Sequence, residues 1–326
     1  MVILVVGGAG YIGSLMVKQL LRAGYRVVVL DNFSTGHRDA LVGGELVEAN
    51  LAHAATLNAL FMTHAIDAVL HFASFIQVGE SVRHPGRYYG NNFSATLTLL
   101  EAMVQAGVSR FIFSSSAAVY GTPRDAAPMD EEHPKEPLNP YGRSKWMVEQ
   151  LLDDFAVAHG VNFVALRYFN AAGADPEGGL GERHLPETHL IPVLLQVASG
   201  RQARVVVHGQ DYPTPDGTCI RDYVHVADLC QAHLRALEYL LDGGESTVCN
   251  LGNGAGFSVN EVIATVERVT GKPLPVVYGP RRPGDSARLV ANARKASVLL
   301  DWQPRWSDLQ AIVAHAWRFE REMVWM

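Results

Sequence analysis

The chain has 326 residues, enough for one large or two modest domains, with 48% hydrophobic and 18% charged residues. A formal net charge of −6 and the lack of a basic stripe exclude a nucleic-acid-binding class. Three cysteines without paired spacing exclude a disulfide or zinc-finger framework, and no apolar run reaches the ~18 residues of a membrane span.

The chain opens on an apolar run, Val2-Ile3-Leu4-Val5-Val6, and then a glycine loop, Gly7-Gly8-Ala9-Gly10-Tyr11-Ile12-Gly13. Glycine breaks the run too early for a signal peptide and no basic flank precedes it, so a cytoplasmic location is expected. Residues 14–23 read as a helix with apolar Leu15, Met16, Leu20 and Leu21, and Val27 to Leu30 read as a second strand ending at Asp31. Strand, tight turn, helix, strand is one βαβ unit. Gly7, Gly10 and Gly13 let backbone approach a pyrophosphate, and the helix N-terminus aims free N–H groups at it. Asp31, at the second strand tip, accepts from ribose hydroxyls and repels a 2′-phosphate, which favours NAD over NADP.

The polar loop after Asp31 holds Asn32, Phe33, Ser34, Thr35 and Gly36 and is placed near the adenosine. Residues 45–49 form a short third strand whose tip, Asn50 and Leu51, faces the adenine. A helix over 54–64 leads to a fourth strand, Ala68-Val69-Leu70-His71-Phe72-Ala73, whose small end residue suits close approach to the cofactor. A long helix over 88–105 carries Asn91, and Phe111 to Phe113 runs as a strand into Ser114-Ser115-Ser116. Apolar strands alternating with helices predict a parallel sheet buried on both faces, with ligands at the carboxyl ends of its strands. Gly7, Asp31, Asn50, Ala73 and Ser116 all fall at that edge.

Residues 123–140 are rich in proline and charge and read as a loop. A helix follows to His159, and Val161 to Arg167 is a strand ending at Tyr168-Phe169-Asn170. The pattern then changes to a glycine-, acid- and proline-rich stretch over 171–187. Beyond it come helices over 190–199, 226–241 and 258–270, with short strands over 205–208, 248–251 and 276–278. This pattern predicts a Rossmann-type doubly wound parallel sheet over 1–173, with a smaller C-terminal α/β substrate domain over 174–326. The chain is expected to return to the first domain around 222–250.

Tyr141 and Lys145 are four apart on one helix and share a face. A nearby ammonium and a positive nicotinamide ring both favour the phenolate, so Tyr141 suits a general base near neutral pH. Ser116 is placed to bond the same substrate oxygen, and Lys145 the nicotinamide ribose. The 13 histidines are scattered without ligand spacing, so no metal site is expected. His225 reads as structural.

Eleven segments extend the pattern: GGAGYIGS at Gly7, LDN at Leu30, HFAS at His71, VGES at Val78, FIFSSSAAVYG at Phe111, NPYGRSK at Asn139, RYFNAAGA at Arg167, LIP at Leu190, DYPTPDGTCIRDYVHVADL at Asp211, NLGNG at Asn250 and RRPGD at Arg281. Together they resemble the UDP-glucose 4-epimerases of the extended short-chain dehydrogenase/reductase family over nearly the whole chain. The G-x-x-G-x-x-G loop is the variant of that extended type.

The resemblance implies tightly held NAD and a UDP-sugar substrate. Tyr141 would deprotonate the sugar O4 while C4 gives up hydride, and the 4-keto sugar would turn over before hydride returns to its other face. It also implies that Tyr11, Ile12, Asp31, Asn32, Asn91, Lys145 and Phe169 contact NAD, with Phe72, Ser74 and Ile76 beside them. Asn170, Arg221, Arg282 and Asp285 would hold the UDP-sugar, together with Leu190 and Val206. Anionic pyrophosphate in an acidic protein independently calls for fixed guanidiniums.

Some positions depart from the family pattern. Asn50 stands where many members have Asp, and its amide oxygen can still accept from adenine. His189 replaces an Asn near the uridine, and His208 stands where an aromatic packs by the uracil. Leu289 occupies the position that sets room for an N-acetyl group, which leaves UDP-N-acetylglucosamine or a UDP-pentose as an alternative substrate. The family also implies a homodimer through the helices that start near Tyr88 and Tyr141. Three rival readings remain: a sugar-nucleotide 4,6-dehydratase, a net oxidoreductase and a non-catalytic NAD sensor. Ala117-Ala118-Val119 after Ser116 lacks the acidic pair of the dehydratases, and intact Ser116, Tyr141 and Lys145 disfavour the sensor.

Overall fold

The computed structural model describes residues 1–323 apart from 126, 283 and 284. The first half alternates as its patterning requires: β1 (Val2–Val6), α1 (Tyr11–Arg22), β2 (Arg26–Asp31), β3 (Glu45–Glu48), α2 (Ala54–Thr63), β4 (Ala68–His71), α3 (Val78–Arg83), α4 (Pro85–Tyr88), α5 (Ala95–Gln105), β5 (Arg110–Ser116), α6 (Pro140–His159) and β6 (Asn162–Tyr168). The second half adds β7 (Asn170–Ala172), α7 (Leu190–Ser199), β8 (Val205–His208), β9 (Ile220–Arg221), β10 (Tyr223–His225), α8 (Val226–Leu241), β11 (Thr247–Leu251), β12 (Phe257–Ser258), α9 (Val259–Thr270), β13 (Val276–Gly279), β14 (Arg288–Leu289), α10 (Arg294–Leu299) and α11 (Leu309–Glu322).

Among the described residues, seven strands form one parallel sheet in the order β11-β6-β5-β4-β1-β2-β3. It is a Rossmann-type α/β fold. Because successive side chains of a strand point to opposite faces, β1 serves two cores. Ile3 and Val5 pack with Leu15, Met16 and Leu20 of α1 and Leu229 and Leu237 of α8. Leu4 and Val6 pack with Leu57 of α2, Leu99 of α5 and Leu152 of α6. The strand order reverses between β1 and β4, which opens a crevice at their carboxyl ends.

A separate apolar cluster joins α7, α9 and α11 through Leu194, Val262 and Ile312, over Val205 and Val207 of β8. The chain returns from there to the sheet. β11 pairs with β6, and Trp302, 1% exposed, sits in the α1–α8 core with its indole N–H donating to Asp228 O at 2.9 Å.

The helix expected over 88–105 is broken. Tyr89–Ser94 adopts π geometry before α5 begins. At this bulge Asn92 accepts from Phe75 N–H at 2.9 Å and donates to Phe75 O and Ser144 Oγ, so its side chain ties the segment after β4 to α6. Such bulges cluster at functional sites.

Candidate functional site

The glycine loop is tight enough that side chains do not fit. At Gly7, with φ of 82°, an added Cβ would stand 2.6 Å from Ala73 N, and at Gly13 it would stand 2.1 Å from Gly7 O. The first turn of α1 has no side-chain cap and no acidic residue, so its N–H groups face the crevice without a competing acceptor. Asp31 is 8% exposed. Its carboxylate accepts from Ala9 N–H at 2.9 Å and Phe33 N–H at 2.8 Å, which locks the carboxylate onto the loop. A carboxylate accepts about four bonds, so lone pairs remain for ribose hydroxyls. This cradle fits a dinucleotide.

The other expected cofactor residues surround it. Phe33 takes a φ of 55° with the Arg38 guanidinium 4.2 Å from its ring, and His37 N–H bonds Ala9 O, which draws 32–37 against the glycine loop. Asn50 is exposed, with its amide oxygen accepting from Ala52 N–H, while the Leu51 side chain is buried in the core. Phe72 and Ala73 hang from Val6 O through their N–H groups. Ser74 and Ile76 are half-buried between β4 and α3, and Asn91 donates to Asn92. The Tyr11 hydroxyl donates to Gly173 O at 2.6 Å, joining the start of α1 to the turn after β7.

Ser116 ends β5, and Tyr141 and Lys145 occupy the first turns of α6, where Asn139 caps the helix by accepting from Gly142 N–H. The Ser116 hydroxyl, which accepts from Ala118 N–H at 3.1 Å, lies near enough to the Tyr141 phenol to favour its ionised form. Burial pushes the Tyr141 phenol above its ordinary pKa, and the Ser116 hydroxyl opposes that shift. Lys145 is 3% exposed, and burial pulls its ammonium down to about 7. Its Nζ donates to Ser114 O at 2.7 Å rather than to the phenol. The phenolate-favouring role read from Tyr–Lys spacing therefore needs further positive charge at the site. Behind the triad, His71 is 2% exposed and held neutral by burial, which lowers it to about 3.

A buried network missed in the sequence supports these groups. Glu149, one turn past Lys145, accepts from the Ser115 hydroxyl and from Arg167 Nε at 3.0 Å. Arg167 also donates to the Tyr120 hydroxyl at 2.8 Å, which donates to Asn250 Oδ1 at 2.7 Å. The signal was present: Tyr141, Lys145 and Glu149 are spaced by four on one helix face.

The expected sugar-nucleotide residues fall into groups. Asn170 bonds Asp222 O through both its backbone and side-chain N–H, and Asp222 N–H bonds Leu289 O. Leu289 pairs in register with Arg221 and, like Phe169, Ala117 and Trp146, packs against the Val119, Tyr120 and Met129 cluster. Arg221 donates to Ile220 O and Ser286 O and stands 3.7 Å from Asp285, which also accepts from Arg282 Nε at 2.9 Å. So Asn170, Arg221, Arg282, Asp285 and Leu289 form one continuous patch that joins Phe169 beside the triad. Val206 and His208 lie apart on the β8–β13 ribbon. His189, the residue before Leu190 and α7, points Nδ1 at Glu182.

The histidines are scattered in sequence, yet the fold gathers His184 and His189 with Glu182 and Glu187. A single turn of chain folds E-x-H-x-x-E-x-H onto itself, and that local motif was the available signal.

The model of the NAD dependent epimerase/dehydratase family matches residues 3–252. The chain belongs to this family. It is similar to a UDP-glucose 4-epimerase of Rhizobium meliloti (strain 1021), 50% identical over 97% of this chain and 96% of the relative. A crystal structure of a UDP-glucose 4-epimerase superposes with a TM-score of 0.96 at 47% identity, over 99% of this chain and 98% of that one. The UDP-glucose 4-epimerase of Brucella ovis, solved in complex with NAD, superposes with a TM-score of 0.95 at 47% identity over 97% of both chains. As a member of the NAD dependent epimerase/dehydratase family, the chain carries the cradle and the Ser–Tyr–Lys group on one sheet edge.

Proposed function

We propose that this chain interconverts UDP-galactose and UDP-glucose, inverting C4 through a transient 4-keto sugar with NAD as its resident cofactor. The observation that carries the reading is the placement of Ser116 at the end of β5 beside Tyr141 and Lys145 in the first turns of α6, at the sheet edge that also carries the glycine loop and the uncapped helix α1. Similarity to UDP-glucose 4-epimerases over nearly the full chain supports the same substrate class.

When bound, NAD supplies the site with a hydride acceptor that becomes a donor. The chain's own residues do the rest. Ser116 and Tyr141 hold the sugar O4 between two hydroxyls, and Tyr141 takes its proton and returns it after the ring turns. Buried Lys145 brings a positive charge to the ribose side, which lowers the cost of the phenolate. Arg221, Arg282 and Asp285 anchor the nucleotide end, so the sugar can swing while the UDP stays fixed. No net oxidation occurs, so no second substrate is consumed. Ala117-Ala118-Val119 forms a short apolar turn after Ser116, which leaves water elimination without an acid there. The same reading includes a cytoplasmic homodimer that pairs through α5 and α6, which a monomeric mass in solution would reject.

The test is purified protein with UDP-galactose and no added NAD. UDP-glucose should form and should vanish in Tyr141→Phe. A dehydrated keto sugar would replace this reading with the 4,6-dehydratase.

A further inference from the structure

The segment between β7 and α7 stands apart from the triad and from the Arg221–Asp285 patch, although its last residue, His189, is also expected near the uridine, and it concentrates ligand-type side chains. Glu182, His184, Glu187 and His189 each offer one donor atom, and these atoms lie within 4.8 Å of one another. His184 Nδ1 stands 3.1 Å from Glu182 Oε1 and 3.6 Å from Glu187 Oε2. His189 Nδ1 contacts the same Glu182 oxygen. The two imidazoles meet edge to face, with centroids 5.4 Å apart.

The convergence of four donor atoms in a buried pocket of charge makes this more than a polar turn. The Glu182 and Glu187 side chains are only 5% and 3% exposed. Among the described residues no lysine or arginine pairs with either carboxylate, and Arg183 between them turns away to Asp39. Two buried carboxylates are costly unless opposite charge meets them, and here it comes from the two imidazoles, either as imidazoliums paired to the carboxylates or as neutral rings that share a cation with them. Two neutral imidazoles, two carboxylates and one divalent cation make a neutral assembly. The donor set is two nitrogens and two oxygens, which suits zinc-type ions rather than calcium, magnesium or a thiolate-seeking metal. Zinc holds such donors at about 2.0–2.2 Å in a tetrahedron, which sets them roughly 3.4 Å apart, so the direct His189–Glu182 contact would open while the wider pairs, all within 4.8 Å, would close.

We propose that Glu182, His184, Glu187 and His189 form a four-ligand site for Zn²⁺ or a similar first-row divalent ion. Four protein ligands leave no open position, so the ion is structural. It would fasten the strap of chain around 173–189. That strap receives the Tyr11 hydroxyl at Gly173 O, approaches His37 Nε2 through Arg183 O at 3.2 Å, and accepts from Gln77 Nε2 at Pro186 O at 3.1 Å. These contacts reach the start of α1, the loop after β2 and the segment before α3.

The experiment is titration of chelator-treated, dialysed full-length protein with Zn²⁺ alone, against a chromogenic chelator, with Mg²⁺ as control. One equivalent should bind per chain, and Zn²⁺ should raise the melting temperature where Mg²⁺ does not. His184→Gln and Glu187→Gln, each verified as folded by circular dichroism, should bind about 100-fold more weakly or worse and lose the melting shift. Absence of stoichiometric uptake, or equal uptake by both folded variants, overturns the site. If the variants do not fold, cobalt(II) added to the parent protein decides. A visible band of tetrahedral intensity supports the assignment, and its absence overturns it.

Discussion

Glu149 follows Lys145 by one turn of α6, and its carboxylate holds Arg167, with Nε to Oε1 at 3.0 Å. Both members are buried, at 1% and 2% exposure. The pair bonds Ser115 through Glu149 and Tyr120 through Arg167, so it fixes the end of β5 against α6 and with it the spacing of Ser116 from Tyr141. Glu149→Gln leaves Arg167 charged and uncompensated and should destabilise the fold by about 3–5 kcal/mol, whereas the double replacement Glu149→Leu, Arg167→Met should restore most of that loss. Urea unfolding of the three proteins reads this. A single variant within about 1 kcal/mol of the parent would mean that the pair is not the brace described here.

Lys145 makes a pH prediction. Burial lowers its ammonium to about 7, opposed in part by the Glu149 charge. Between pH 7 and the lysine's ordinary pKa near 10.4, the unfolded chain binds a proton that the folded chain does not. Stability from this group therefore rises with pH across that window and is lowest below pH 7, where the buried amine must carry its charge. Lys145→Met removes the penalty. It should melt higher than the parent at pH 6, and the gap should shrink as pH rises towards 10, although the variant should lose epimerase activity. A gap independent of pH would place the amine's pKa outside the window.

Leu289 packs against the same Val119, Tyr120 and Met129 cluster as Phe169, Ala117 and Trp146 and pairs in register with Arg221. A larger ring there narrows the space between the triad and the nucleotide patch. Leu289→Tyr should therefore keep turnover of UDP-galactose while lowering any turnover of UDP-N-acetylgalactosamine by about tenfold or more, a steric loss of about 1–3 kcal/mol. Equal losses on both sugars would show that Leu289 does not sort them.

The elements that positioned the site were legible because their signals are local. The β1–α1–β2 unit needed only an apolar run, glycines and a terminal acid, and the helix over 190–199 and the strand over 205–208 stand at those limits. The helix α3 was not: Val-Gly-Glu-Ser-Val-Arg is too short and too polar to show a period, and it forms because Tyr88 bonds Gln77 O and Glu80. The π geometry at Tyr89–Ser94 was equally hidden, since Asn92 is satisfied by Phe75, a partner far along the chain. Arg167 and Asn250 looked like motif positions, and only the fold reveals them as neighbours of Tyr120.

Arg221 and Arg282 converge on Asp285, but they are held differently. Arg221 is fixed by the carbonyls of Ile220 and Ser286, and its side chain is 15% exposed. Arg282 is 61% exposed and is held by Asp285. A pre-placed, poorly solvated guanidinium gives more to a phosphate than a mobile one, because less entropy and less desolvation are lost on binding. Arg221→Ala should raise KM for UDP-galactose by roughly 10- to 100-fold, the equivalent of about 1.5–3 kcal/mol for charge-assisted bonds, with kcat changed little. Arg221→Lys should recover only part of this, because the carbonyl-bound fork cannot be rebuilt by an ammonium. Arg282→Ala should shift KM only a few-fold. Steady-state kinetics with product separation measure all three, and a fall in kcat with KM unchanged for Arg221→Ala would move this residue from nucleotide anchoring to the reacting end of the sugar.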